Sequence, residues 1–149
     1  QAPDARRVLV PVSGGGLLAG VVAGMWDSGG VLEIWGVQPA GSNAMALSFE
    51  QKRAVSIGRA DTICDGIAAS RPGEHTLPII LEGVKGILTL SDEVALVATK
   101  ACLEEERLVV EPSGALSLAA VREGLVPADG TVCVLSGGNI NPQLLKELV

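Results

Sequence analysis

Two glycine-rich turns offer the chemistry in this sequence. Ser13-Gly14-Gly15-Gly16-Leu17 follows the apolar run Val8–Val12 and precedes small and apolar residues as far as about Trp26. That pattern reads as a buried strand that breaks and continues as a helix. Glycines at such a junction allow positive φ and leave no Cβ in front of the amides. Free N–H groups there, backed by the positive end of the helix dipole, form an anion site suited to phosphate. A strand–helix turn without a ligand usually needs one glycine, not three. The second turn, Ser136-Gly137-Gly138-Asn139, follows the strand-like run Thr131–Leu135. Both turns then lie past the C-terminal ends of strands, the edge where open α/β sheets place ligands. Together they imply a ligand with a phosphate at one end and a polar group at the other. Glu111-Pro112-Ser113-Gly114-Ala115 opens a helix on the same edge, although taken alone it reads as Pro at a first helical position and small residues for packing.

The elements that position these turns alternate between strand and helix patterns. With 149 residues, nearly half of them apolar, the chain is expected to form one α/β domain. Leu32–Val37 forms a second strand after Ser28-Gly29-Gly30, in a right-handed βαβ unit with parallel strands. Asn43 to about Arg53 reads as a helix with Ala44, Leu47 and Ala54 on one face, and Ser56–Asp65 as a loop. Thr76 is expected to cap a short helix holding Leu77, Ile80, Leu81 and Val84, and Gly86–Leu90 to form a third strand. Ser91 caps the next helix, whose buried face is expected to be Val94, Val97, Ala98 and Ala101. A helix from Pro112 to Gly124, the fourth strand and a last helix over Pro142–Leu148 complete the order.

Composition excludes several function classes. A net charge of −6 without a basic patch argues against nucleic acid, and three aromatic residues provide no stacking platform. Cys64, Cys102 and Cys133 are widely spaced and match no metal pattern, as expected of reduced thiols in a cytoplasmic protein. No apolar run reaches the length of a membrane span and no signal peptide is visible, while Gln1 in place of an initiator Met reads as a chain trimmed, cleaved or cut from something longer.

Other readings of the first loop fit less well. Gly14, Gly16 and Ala19 satisfy G-x-G-x-x-A, but a dinucleotide fold also wants an acid at the end of the second strand. That strand ends at Val37-Gln38, and its one carboxylate, Glu33, stands near the start. A Walker loop would need Lys-Ser or Lys-Thr after the glycines, and no G-x-S-x-G nucleophile elbow occurs.

The order of motifs is more specific than any one of them. Ser13-Gly14-Gly15-Gly16-Leu17-Leu18-Ala19-Gly20, Cys64-Asp65-Gly66, Arg71-Pro72-Gly73-Glu74, Glu111-Pro112-Ser113-Gly114-Ala115 and Leu135-Ser136-Gly137-Gly138-Asn139 follow one another. This series resembles the threonine/serine dehydratase and serine racemase family, pyridoxal-phosphate enzymes of the tryptophan-synthase-β fold type. The resemblance runs over nearly all of the chain but covers only the C-terminal half of the family's catalytic domain. It implies a three-layer αβα fold with a mostly parallel sheet, a partial fold-type II domain over residues 1–149. By the same resemblance, Ser13, Gly14, Gly15, Gly16 and Leu17 would hold the cofactor phosphate through their amides. Asp at Gly15, which puts a carboxylate and a Cβ into that pocket, is expected to abolish binding. Gly66 would lie beside the cofactor ring and Glu111 near its face. Ser136 would hydrogen-bond the pyridine nitrogen, with Gly137 next to it. A neutral hydroxyl there makes the ring a weaker electron sink than a carboxylate would, which favours rapid loss of a β-leaving group.

The chain departs from the family pattern twice. Relatives often carry a Glu where this chain has Gln38, with a second carboxylate a few residues on, and together these bind a divalent cation. Here Gln38–Ala46 contains no acid, so no metal is expected, because hard cations want charged oxygens. The second departure is the Schiff-base lysine, which in the family lies near the N-terminus in a Ser-Phe-Lys-like motif absent here. Lys52, Lys85, Lys100 and Lys146 read as helix-surface or element-end residues, and His75 as a surface residue. The expectation is therefore a fragment of a pyridoxal-phosphate-dependent serine/threonine ammonia-lyase that keeps its binding loops, contains no catalytic residue and is inactive alone. It should self-associate or pair with a chain carrying the missing half, since a half-domain exposes apolar surface. The alternative is a non-catalytic module that binds a phosphorylated small molecule or a partner chain; a nucleotide-binding domain is the weaker third reading.

Overall fold

The computed structural model describes residues 2–148. Its centre is a four-stranded sheet of β1 (Arg7–Pro11), β2 (Glu33–Pro39), β3 (Gly86–Leu90) and β4 (Thr131–Cys133) in the order β3-β2-β1-β4. Every pairing is parallel, with Val10 opposite Gly36, Val37 opposite Leu88 and Leu9 opposite Cys133. Side chains on a strand alternate between faces, and β1 shows the consequence. Val8, Val10 and Val12 join one buried cluster while Leu9 joins the other.

Those two clusters make the chain a three-layer α/β domain. Helices α1 (Gly16–Ser28), α2 (Ala44–Gln51) and α3 (Thr76–Gly83) cover the Val8–Val10 face with Leu18, Val22, Met45, Leu77 and Ile80. Helices α4 (Asp92–Glu104) and α5 (Pro112–Arg122) cover the other with Ala95, Ala98, Cys102, Ala115, Leu116 and Ala119. The helix α6 (Pro142–Leu148) closes the described chain. Small residues let α5 lie close to the sheet: Pro112–Ser117, Ala119 and Ala120 are all buried, and Ser117 Oγ donates to the Leu9 carbonyl at 3.0 Å.

Three expectations need correction. Val97 is 61% exposed, and α4 buries Ala95, Ala98, Thr99, Ala101 and Cys102 instead. The stripe of small residues packs on α5, in one cluster with Ala115, Leu116 and Ala119, and Val97 lies off that stripe toward solvent. Thr76 does not cap α3; His75 holds that position without a side-chain bond, and the Thr76 hydroxyl donates to Gly14 O at 2.5 Å. Finally, α2 stops at Gln51 rather than Arg53 because Lys52 turns left-handed, at φ 54°, with its ammonium over the Phe49 ring.

The order β3-β2-β1-β4 sets the site. The chain leaves β1 through α1 on one face and enters β4 from α5 on the other, so the connections diverge between these two strands. At such a switch point the space beyond the C-terminal strand ends is left open.

Candidate ligand-binding site

A cleft of about 280 Å³ occupies that space. The residues singled out from sequence all line it: Ser13–Leu17 from the β1–α1 turn, Gly66 from the 3-10 turn Asp65–Ile67, Glu111 from the start of α5, and Ser136 and Gly137 from beyond β4. Pro11, Val12, Ile67 and Ser113 complete the lining. Sequence reasoning gives Ser113 no role of its own, since a Ser after Pro at a helix start reads as packing. In the folded chain its Oγ accepts the Gly66 N–H at 3.1 Å and so ties the 3-10 turn to α5.

The first loop is built as an amide cradle. Gly15 caps α1 in the left-handed region at φ 100°, and its carbonyl accepts the Ala19 N–H at 2.8 Å. Among the described residues, no backbone N–H from Ser13 to Leu18 has a protein acceptor. The first amides of a helix have no partner within the helix, and here they line the cleft. The glycines differ in what they do. A Cβ at Gly15 would fall 2.7 Å from Ile80 Cδ1 and 2.8 Å from Met45 Cε, whereas one at Gly14 or Gly16 meets nothing within 4 Å. Asp at Gly15 would therefore damage packing as well as binding, and the expectation attached to that substitution moves to Gly16. The Ser13 hydroxyl is turned to structural use, accepting the Ala69 N–H at 3.1 Å.

The opposite wall carries the second loop. Gly137 is left-handed at φ 82°, and its carbonyl accepts the Glu111 N–H at 3.2 Å. The Ser136 N–H donates to Gly114 O at 3.3 Å, and a Cβ on Gly114 would fall 1.6 Å from Ser136 O. Only glycine lets the loop lie this close to α5. Ser136 is half-buried, and its hydroxyl has no protein partner among the described residues.

The electrostatics are two-ended. No Lys or Arg lines the cleft, so the amides and the α1 dipole supply its positive character. Glu111 supplies negative charge, and burial, with a smaller contribution from Asp65, pushes its carboxyl above the ordinary carboxylate range. The folded state thus holds that proton to higher pH than the unfolded state does. Stability is unaffected below the ordinary range, falls as pH rises through the raised value, and stays lower beyond it. Glu111→Gln is accordingly expected to raise the thermal midpoint at neutral pH and to leave it unchanged below the ordinary carboxylate range. A midpoint difference independent of pH would contradict this.

The remaining candidates lie elsewhere. None of the four lysines lines the cleft: Lys100 pairs with Glu104 at 3.5 Å, and Lys52, Lys85 and Lys146 are exposed, as is His75. Gln38 is fully buried, its Oε1 accepting the Ala46 N–H at 3.1 Å, and its Nε2 has no partner. Among the described residues, no three His, Cys, Asp or Glu side chains stand together as a set of metal ligands. Cys64 and Cys102 are buried, and burial pushes the Cys64 thiol up to about 12, so it is not a nucleophile at neutral pH. No helix of the described chain is long and apolar enough to cross a membrane.

Fold and cleft together define an α/β domain with a cleft lined by unpartnered amides at its switch point. A family model described as "Pyridoxal-phosphate dependent enzyme" matches residues 1–137, and the chain belongs to that family. It is 36% identical over 151 residues to the L-threonine ammonia-lyase of Geobacter sulfurreducens, covering 100% of this chain and 38% of that one. Among solved structures it resembles the processed form of threonine deaminase isoform 2 from Solanum lycopersicum, with a TM-score of 0.89, 29% identity and coverage of 98% and 41% of the two chains. Maize serine racemase superposes with a TM-score of 0.87 at 30% identity, over 99% of this chain and 48% of that one. The chain thus spans less than half of the length of these relatives.

Proposed function

We propose that this chain is the C-terminal half of the catalytic domain of a pyridoxal-phosphate-dependent serine/threonine ammonia-lyase. It holds the cofactor, and the lysine that attaches it comes from polypeptide outside this chain. One observation carries the reading: unpartnered amides at Ser13–Leu17 and the free Ser136 hydroxyl face one cleft. The donor set fits the cofactor, with a cradle for a phosphate at one end and a neutral hydroxyl for a ring nitrogen at the other.

Each residue then has a physical task. The amides of Ser13–Leu17 bind and orient the phosphate, and the α1 dipole adds to their pull. Ser136 holds the ring nitrogen without a full charge, and Gly137 leaves space for the Glu111 carboxylate beside it, where a Cβ would fall 2.0 Å from Glu111 Oε1. Gly66 keeps the wall clear of side chain. When bound, pyridoxal phosphate withdraws electrons from the α-carbon of an amino acid, so that the α-proton is lost and a β-hydroxyl can leave. The half-exposed Leu17, Leu108, Val109 and Leu135 suit a partner that covers them, either the complementary half or a second copy.

Backbone amide spectra recorded during a titration with pyridoxal phosphate test this reading. The largest shifts are expected at Ser13–Leu17 and at Ser136–Gly137. Shifts confined to lysine-bearing surfaces away from the cleft would overturn it.

A further inference from the structure

We propose that Thr76 is a positioning residue that sets the direction of the amides in the first loop; this rests on the phosphate reading of that loop. The Gly14 carbonyl oxygen accepts two hydrogen bonds, from the Gly73 N–H in the turn that leads into α3 at 2.9 Å and from the hydroxyl of Thr76, the first residue of α3, at 2.5 Å. The Thr76 hydroxyl also lies 3.2 Å from Gly73 O, but it has one proton, and the shorter contact to Gly14 O takes it.

The Gly14–Gly15 peptide is trans, so its N–H points opposite to its C=O. A carbonyl pulled toward α3 therefore turns the Gly15 N–H away from α3, and that N–H has no protein partner. The loop has little else to hold this plane. Gly14 and Gly15, on either side of it, carry no side chain, and glycine-flanked peptides rotate more freely than any others. A flipped plane would aim a carbonyl lone pair at the phosphate in place of a donor. Two donors on Gly14 O oppose that flip before any ligand arrives, so the cradle is preorganised and its ordering cost is met during folding.

The same geometry gives α3 a role that its burial does not require. Leu77 and Ile80 anchor the helix in the core, while its first residue reaches out to a carbonyl in the neighbouring turn. Gly73 belongs to the device as well. A Cβ there would fall 2.9 Å from Thr76 Oγ1 and 3.2 Å from Gly14 O, in the space the two hydrogen bonds occupy.

The test compares the chain with Thr76→Val, which keeps the shape and removes the hydroxyl, and with Thr76→Ser, which restores it. Pyridoxal phosphate is titrated calorimetrically into each, and the Gly14 carbonyl ¹³C shift is read without ligand. Thr76→Val is expected to bind about tenfold more weakly, the scale of one strong hydrogen bond, and to shift the Gly14 carbonyl. Thr76→Ser is expected to recover both. If Thr76→Val fails to fold, Gly73→Ala replaces it, with the same loss expected. Undiminished affinity in the variant that folds overturns the proposal while leaving the phosphate reading intact, and so does a loss that Thr76→Ser does not restore. No affinity in the unaltered chain overturns both.

Discussion

Given pyridoxal phosphate and either serine or threonine, this chain alone is expected to release no 2-oxo acid above the rate of free cofactor. The chemistry needs a lysine close enough to attach the cofactor and to carry the α-proton, and proton transfer by a placed group contributes about 10²–10⁴-fold by itself. Covalent attachment adds a separate dependence. The lysines of this chain stand clear of the cleft, Lys100 in a salt bridge with Glu104 and the others exposed to solvent. Adding a polypeptide with the N-terminal half of a related domain is expected to bring turnover. Borohydride reduction before that addition should mark no single lysine stoichiometrically. Turnover together with stoichiometric labelling of Lys52, Lys85, Lys100 or Lys146 would show that the chain builds a complete site by itself.

Gly16→Asp is expected to abolish phosphate binding while leaving the fold intact. Gly16 opens α1 and is exposed, and an added Cβ meets no atom within 4 Å. A carboxylate there stands in front of the amides that should hold the anion. Like charges about 4 Å apart repel by roughly 4 kcal/mol at an effective dielectric near 20. An open cleft screens part of that, which leaves at least about a hundredfold loss of affinity. An aspartate in the first turn of a helix also suits the dipole, so the thermal midpoint should not fall. Unchanged calorimetric affinity in Gly16→Asp would remove the loop from the binding site. At Gly15 the same residue would face Ile80, Met45 and a φ of +100°, so a loss of binding there would be ambiguous.

The sheet and the cleft were legible in the sequence because both rest on local signals. Alternation in Val8–Val12 and glycines after it state a strand, a turn and a helix, and chain order places the second glycine turn on the same edge. Contacts between distant segments were not legible. Nothing near Thr76 announces that its hydroxyl reaches Gly14, and the capping role expected of it is the local rule that this tertiary bond overrides. Ser113 reads as packing for the same reason, although it accepts the Gly66 amide. Val97 misleads because helical period alone does not fix the angle of the buried stripe, which on α4 runs through Ala95, Ala98, Thr99, Ala101 and Cys102. The roles of Gly15 and Gly16 cannot be separated in a row of three glycines without Ile80 and Met45 in place against one of them.

The most direct test of the central claim is a pair of calorimetric titrations of the unaltered chain, one with pyridoxal phosphate and one with pyridoxal. The two ligands share a ring and an aldehyde and differ only in the phosphate. If the amides of Ser13–Leu17 hold that group, pyridoxal phosphate binds saturably at one site per chain and pyridoxal binds at least about a hundredfold more weakly, the scale of two to three charge-assisted hydrogen bonds. Equal affinity for the two, or binding of neither, would contradict the assignment.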